Sequence, residues 1–260
     1  MIISSQEEAA RTLMRKLGLA HIEDGPMEKM LRETRVFSDE SGSSLLAILP
    51  AHMGALQGSV LLGGGSPALL SEVCAQLDGE QNAFVLAAPR NEQAARRLAD
   101  AGFDKTLYCR RVRRPVRRNI WAQAEFDAVT ARQLQELREK FAAHAVLLPL
   151  PAVIAQLSEL YIQGLTIVSN EGGYGLYFVH KDTLCFIELQ AEGERAAEIL
   201  LEAAREKEVL VENAEICVME CQDTLFLGEG KKEALALLRS GKAALPAEDE
   251  IYFYPMLPVE

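Results

Sequence analysis

The sequence predicts a mixed α+β protein of two tandem domains, residues 1–119 and 120–260, each a mostly antiparallel sheet flanked by helices. Three observations predict it. The stretch from Val60 to Phe103 reads strand, glycine turn, helix, strand, helix without a break. The order three strands, helix, strand, helix, strand recurs in the second half. The composition, 49% hydrophobic and 25% charged over 260 residues, suits a globular chain long enough for one large or two modest domains.

Composition also excludes several classes. No apolar run approaches the roughly 20 residues that span a bilayer, so no membrane role is expected. The first residues lack a signal-peptide core, which points to the cytoplasm. The five cysteines at 74, 109, 185, 217 and 221 form no CxxC pair, so neither a metal site nor a disulfide framework is expected. Cys217 and Cys221 read as buried thiols on one strand face. The net charge is −11 and unevenly spread: residues 1–120 carry 16 Lys and Arg against 14 Asp and Glu, residues 121–260 carry 11 against 24. Such asymmetry suits either an anionic cofactor in the first half with cationic amines drawn elsewhere, or solubility alone.

Taken in order, residues 6–17 and 26–34 read as amphipathic helices, with Ser5 as a cap. Arg35 to Ser38 is a strand at a sheet edge. Ser44 to Leu49 is a strand ended by Pro50, and residues 51–58 fit no single element. Val60, Leu61 and Leu62 are a short buried strand. Gly63, Gly64 and Gly65 let the backbone turn sharply. Ser66 is a helix N-cap and Pro67 suits the first helical position. Ala68, Leu69, Leu70, Val73 and Leu77 give that helix its apolar face. Ala83 to Ala88 is a second buried strand, and a helix from Asn91 ends at Gly102. Free N–H groups at a helix start make the glycine turn an anion site, although such turns also occur without a ligand.

Lys105 to Arg114 reads as a strand that becomes basic, with six arginines between Arg110 and Arg118. They suit either phosphate contact or a solvated edge strand entering a linker. With a negative net charge and no interleaved aromatics, nucleic acid is not expected as a partner. The linker is read at residues 119–126. In the second half, Thr130 caps a helix to Phe141 and Val153 to Gln163 form another. Three strands follow at 165–168, 173–180 and 183–189, then a helix at 195–206 and a strand at 214–220. Lys231 to Leu238 reads as a short helix and Ile251 to Leu257 as a closing strand.

The run Asn91-x-x-Ala94-x-x-x-Leu98-x-x-x-Gly102-Phe103 resembles the late strand–helix signature of the GNAT superfamily, the acyl-CoA-dependent N-acetyltransferases. That resemblance implies two tandem GNAT-like domains. It also implies acetyl-CoA as co-substrate, held by Val60, Leu61, Leu62, Gly63, Gly64, Gly65, Ser66, Pro67 and Ala68, with Asn91 nearby. A strand N–H near Val60 to Leu62 would polarise the thioester carbonyl. The acceptor would be a primary amine of a small molecule or peptide. Two departures stand out: the turn lacks the family's arginine, and Leu98 replaces its tyrosine. Gln190 and Gly193 echo the family's Q-x-x-G in the second half, but Glu192 and Glu194 would repel a pyrophosphate, so that half is expected to hold no CoA.

The four histidines do not cluster, and the glycine triplet is neither a Walker loop nor a G-x-G-x-x-G turn. Two function classes remain from sequence. One is an N-acetyltransferase whose acid and base are not identifiable. The other is a catalytically degenerate relative kept as a binding or regulatory module.

Overall fold

The computed structural model describes residues 12–13, 34–39, 44–63, 65–80, 82–222 and 227–253. Its chain forms two compact units, each drawn from separated stretches: residues 1–107, 144–159 and 234–260 in the first, residues 108–143 and 160–233 in the second.

In the first unit, β1 (Arg35–Ser38), β2 (Leu45–Met53) and β3 (Leu56–Leu62) form an antiparallel meander. The helix α1 (Pro67–Gly79) carries the chain over to β4 (Phe84–Ala87), which pairs parallel with β3. The helix α2 (Glu92–Asp100) follows. A later strand, β10 (Lys231–Ser240), then pairs antiparallel with β4 through Leu237↔Ala87 to Ser240↔Phe84. Leu46, Ile48, Leu61 and Val85 pack with Leu69, Val73 and Leu77 of α1 and with Leu98 and Phe103.

The sequence expectation fails at two places here. Pro50 does not end its strand; β2 runs on to Met53 and turns through Gly54 and Ala55 into β3. His52 donates its N–H away from β3, to the Leu147 carbonyl, and Pro50 faces the same way, beyond the last β1 partner, Ile48. The missing proline N–H therefore costs no bond to β3. Lys231 to Leu238 is the strand β10, not a helix. Its Lys, Glu, Ala and Leu residues favour helix, but long-range pairing with β4 overrides a weak local preference. The helices expected over 6–17 and 26–34 lie almost wholly outside the described residues, as do residues 254–257 of the closing strand. Tyr252 makes one bridge, to Ala145.

The second unit repeats the plan. Its strands are β6 (Thr166–Asn170), β7 (Gly173–His180) and β8 (Thr183–Ala191), again an antiparallel meander. The helix α5 (Glu194–Lys207) leads to β9 (Asn213–Met219), parallel to β8. The fifth strand is β5 (Lys105–Pro115), antiparallel to β9 from Cys109↔Met219 to Pro115↔Asn213. The arginine-rich segment is thus a paired strand. Two further α-helices are α3 (Ala131–Phe141) of this unit, with the predicted Thr130 cap closed by Gln133, and α4 (Leu150–Ile162), whose residues 150–159 belong to the first unit. In the second unit's interior, Arg138 of α3 makes a two-pronged ion pair with Glu188, at 2.7 and 2.9 Å, and Tyr174 donates to the same carboxylate at 2.7 Å. Burial first, then the Glu188 charge, pushes the Tyr174 phenol well above its ordinary value, so it stays a neutral donor. Cys217 lies in β9 but Cys221 lies in the following short helix, and both are half-buried; the single strand face expected for them is not formed.

Candidate functional site

The β3–α1 turn is built from both strands that flank it. The parallel β3–β4 pairing runs from Gly58↔Phe84 to Val60↔Leu86, while β3 stays paired with β2 as far as Leu62↔Ala47. Leu61 and Leu62 thus continue past the last β4 partner, and the turn leaves from the carboxyl ends of two parting parallel strands. Ligands of open α/β sheets characteristically sit at such ends. Val60, Leu61 and Leu62 are buried.

Gly63 has φ +88°, and a Cβ there would lie 2.8 Å from the Leu45 carbonyl oxygen and 2.5 Å from Leu13 Cδ1. The turn's own packing therefore demands this glycine. Gly64 lies outside the described residues. Ser66 caps α1, its Oγ accepting the Leu69 N–H at 3.3 Å while its carbonyl accepts the Leu70 N–H at 2.9 Å. Pro67 has no N–H to give. Among the described residues, no hydrogen bond takes up the N–H of Gly65, Ser66 or Ala68. No acid stands in the first turn of α1. Ala68 is exposed; the buried stripe is Leu69, Leu70, Val73, Cys74 and Leu77, which corrects its expected place on the apolar face.

One functional group escaped the sequence reading. Arg97, in the last turn of α2, donates from Nη1 to the Gly65 carbonyl at 3.2 Å. The turn lacks an arginine of its own, yet a guanidinium lies against it, from 32 residues further on. The only sequence signal was Arg97's place three residues after buried Ala94, at the flank of the inward face of α2.

The residues that carry the family resemblance have local roles. Asn91 caps α2, its Oδ1 accepting the Ala94 N–H at 2.8 Å. At the other end the Gly102 N–H reaches the Ala99 carbonyl at 3.0 Å and the Phe103 N–H reaches the Leu98 carbonyl at 3.1 Å. Gly102 is at φ +88°, and Leu98 and Phe103 share the same core cluster. This is a Schellman C-terminus with its hydrophobic contact. Leu98 is 1% exposed.

The corresponding β8–α5 turn differs. Gly193 caps α5 in extended backbone with no side-chain hydrogen bond, and Glu194 stands in the first turn. The Gln190 side chain does not serve that turn; its Oε1 accepts from Gln222 Nε2 at 3.2 Å in the interior. Four arginines of the 110–118 run are met by acids and carbonyls of their own unit. Arg111 pairs with Glu215 and Glu233 at 2.9 and 3.2 Å, Arg114 with Glu198 at 3.4 Å, and Arg118 with Glu206 at 2.7 Å. Arg110 donates to the Gly228 carbonyl at 3.3 Å.

No family model matches this chain, and no curated protein does. Solved structures do match. A conserved protein of unknown function from Enterococcus faecalis, described as a probable N-acyltransferase, superimposes with a TM-score of 0.65 at 13% identity, over 92% of this chain and 71% of its own. A GCN5-related N-acetyltransferase from Anabaena variabilis gives 0.61 at 13% identity, over 92% and 71%. One from Kribbella flavida gives 0.58 at 13%, over 92% and 70%. At such identity the likeness establishes the fold. The chain has the mixed α+β fold of the GCN5-related N-acetyltransferases, as the Asn91–Phe103 resemblance implied.

Proposed function

We propose that the protein is an N-acetyltransferase that uses acetyl-CoA to acetylate a primary amine of a small molecule or peptide. The observation that carries this reading is the β3–α1 turn, where N–H groups, a helix N-terminus and the Arg97 guanidinium converge at the ends of two parting strands. The groups present fit a pyrophosphate. Gly65, Ser66 and Ala68 offer N–H donors, the dipole of α1 is worth about 0.3–1 kcal/mol to an anion, and Arg97 supplies the positive charge the turn lacks in sequence. Acetyl-CoA bound there would supply an activated acyl group. On this reading a backbone N–H at the end of β3 would polarise its carbonyl.

Titration calorimetry with acetyl-CoA and with free CoA tests the site. Arg97→Gln should weaken both about ten- to a hundred-fold, the worth of one hydrogen bond to a charged group. No binding at millimolar acetyl-CoA would remove the proposal.

One observation favours a second reading, a non-catalytic binding module. Leu98 is sealed in the core, so α2 offers no hydroxyl at the position where the resemblance implies a general acid. Acetyl-CoA binding without thiol release over a broad set of amines would select that reading.

A further inference from the structure

Two cysteines that no short motif links come together on one sheet face of the second unit. In the β5–β9 ladder Cys109 lies opposite Met219, and Arg111 lies opposite Cys217. Residues two apart on a strand share a face, and so do directly opposed residues. Cys109 and Cys217 are therefore diagonal neighbours on one face, with Arg111 beside both. Strand twist closes one diagonal of such a ladder, and on this one the two thiols are within hydrogen-bonding reach of each other. Cys109 is 1% exposed and Cys217 is half-buried, so the pair has a sealed member and a reachable one.

The surroundings ease the loss of one proton from the pair. A hydrogen bond from Cys217 pulls the Cys109 thiol below its ordinary value, against the opposing effect of burial, and the Arg111 charge adds to it. Cys217, which donates that bond, is held up. Proton exchange along the bond puts the charge on either sulfur, and the thiolate is the form that reacts. Cys185 is the contrast. It lies opposite Glu215 in the β8–β9 ladder, and burial, then the Glu215 charge, push its thiol up.

We propose that Cys109 and Cys217 form a reversible redox pair, which a low-molecular-weight disulfide such as glutathione disulfide oxidises to a bond between β5 and β9. The Cys217 thiolate attacks one sulfur of the oxidant; that S–S bond breaks, and one glutathione leaves as a thiolate and takes up a proton. Cys109 then attacks the Cys217 sulfur of the mixed disulfide, forming the Cys109–Cys217 bond and releasing the second glutathione, likewise protonated. The protein loses two hydrogens with their electrons, and the oxidant becomes two thiols. Diagonal neighbours reach disulfide geometry only with a small shift of their strands, and a strained bond is readily reduced. Such a bond suits a switch and not a permanent staple. The assignment does not depend on the transferase reading.

Incubation of the full chain with glutathione disulfide, an acid quench, and thiol counting in the denatured protein test the pair. Free thiols should fall from five to three. A peptide joining Cys109 to Cys217 should appear in the non-reduced digest, and excess reduced glutathione should reopen it. Cys109→Ala should stop at glutathione bound to Cys217, Cys217→Ser should leave Cys109 unmodified, and Cys185→Ser should still form the bond. An undiminished thiol count in the unmodified protein would overturn the proposal. So would a bond joining Cys217 to Cys185 or Cys221, a mixed disulfide as the end product of the unmodified protein, or a bond that reduced glutathione does not reopen.

Discussion

The two strand–turn–helix junctions share one plan and differ in charge. At β3–α1 the chain spends a left-handed glycine, a serine cap and a proline to start the helix, keeps acids away, and receives Arg97. At β8–α5 it uses an extended glycine with no side-chain cap and sets Glu192 and Glu194 beside it. The meanders and parallel steps that lead into them are alike. The lesson is that the same fold unit becomes a possible anion site or an unsuitable one through a few residues at a helix start, because helix-end electrostatics act only within the first turn.

The sharpest break in this comparison lies in the glycines. Gly63→Ala should destabilise by about 2–4 kcal/mol, from left-handed backbone plus overpacking against Leu45 and Leu13. Gly193→Ala, with extended backbone and nothing within 4 Å of the new Cβ, should stay within about 0.5 kcal/mol. Denaturant titration of both variants decides; equal losses would dissolve the distinction.

Charge separates the two junctions next. Ala68→Glu places an acid at an exposed position in the first turn of α1. The helix should gain about 0.3–1 kcal/mol, while acetyl-CoA binding weakens about tenfold or more. Calorimetry and thermal unfolding on one variant read the two opposite signs. Glu194→Gln should leave acetyl-CoA binding unchanged.

Capping gives a smaller effect. Ser66→Ala should cost about 1 kcal/mol, whereas Gly193→Ser should gain only about a few tenths. Chemical denaturation of the pair orders them.

The smallest effect is a pH dependence in the first unit. Hydrogen bonds from Arg239 hold the Asp78 carboxyl below its ordinary range, partly offset by desolvation. A depressed folded-state pKa gives stability that is complete above the unfolded value and disappears as pH falls through the folded one. Asp78→Asn should therefore be less stable than the unmodified protein at neutral pH. The gap should close as pH falls below about 3.9. A gap that persists at lower pH would mean the pair acts through packing and not through charge.

The sequence by itself determined what is local. Ser66, Pro67, Asn91, Thr130 and Gly102 each sit where their spacing put them, because a cap or a helix-ending glycine turn closes within four or five residues of chain. Strands with apolar runs at 60–62 and 84–87 were legible for the same reason, since their burial is written in consecutive residues. Tertiary structure alone decided the rest. Lys231–Ser240 is a strand because β4 offers it a partner some 150 residues earlier in the chain. Arg111, Arg114 and Arg118 are paired with Glu198, Glu206, Glu215 and Glu233, none of them near in sequence. Arg97 reaches Gly65, and Gln156 is buried without a partner, only once distant segments are packed together. Pairing and burial at long range depend on what the rest of the chain brings alongside, and no window of neighbouring residues contains that information.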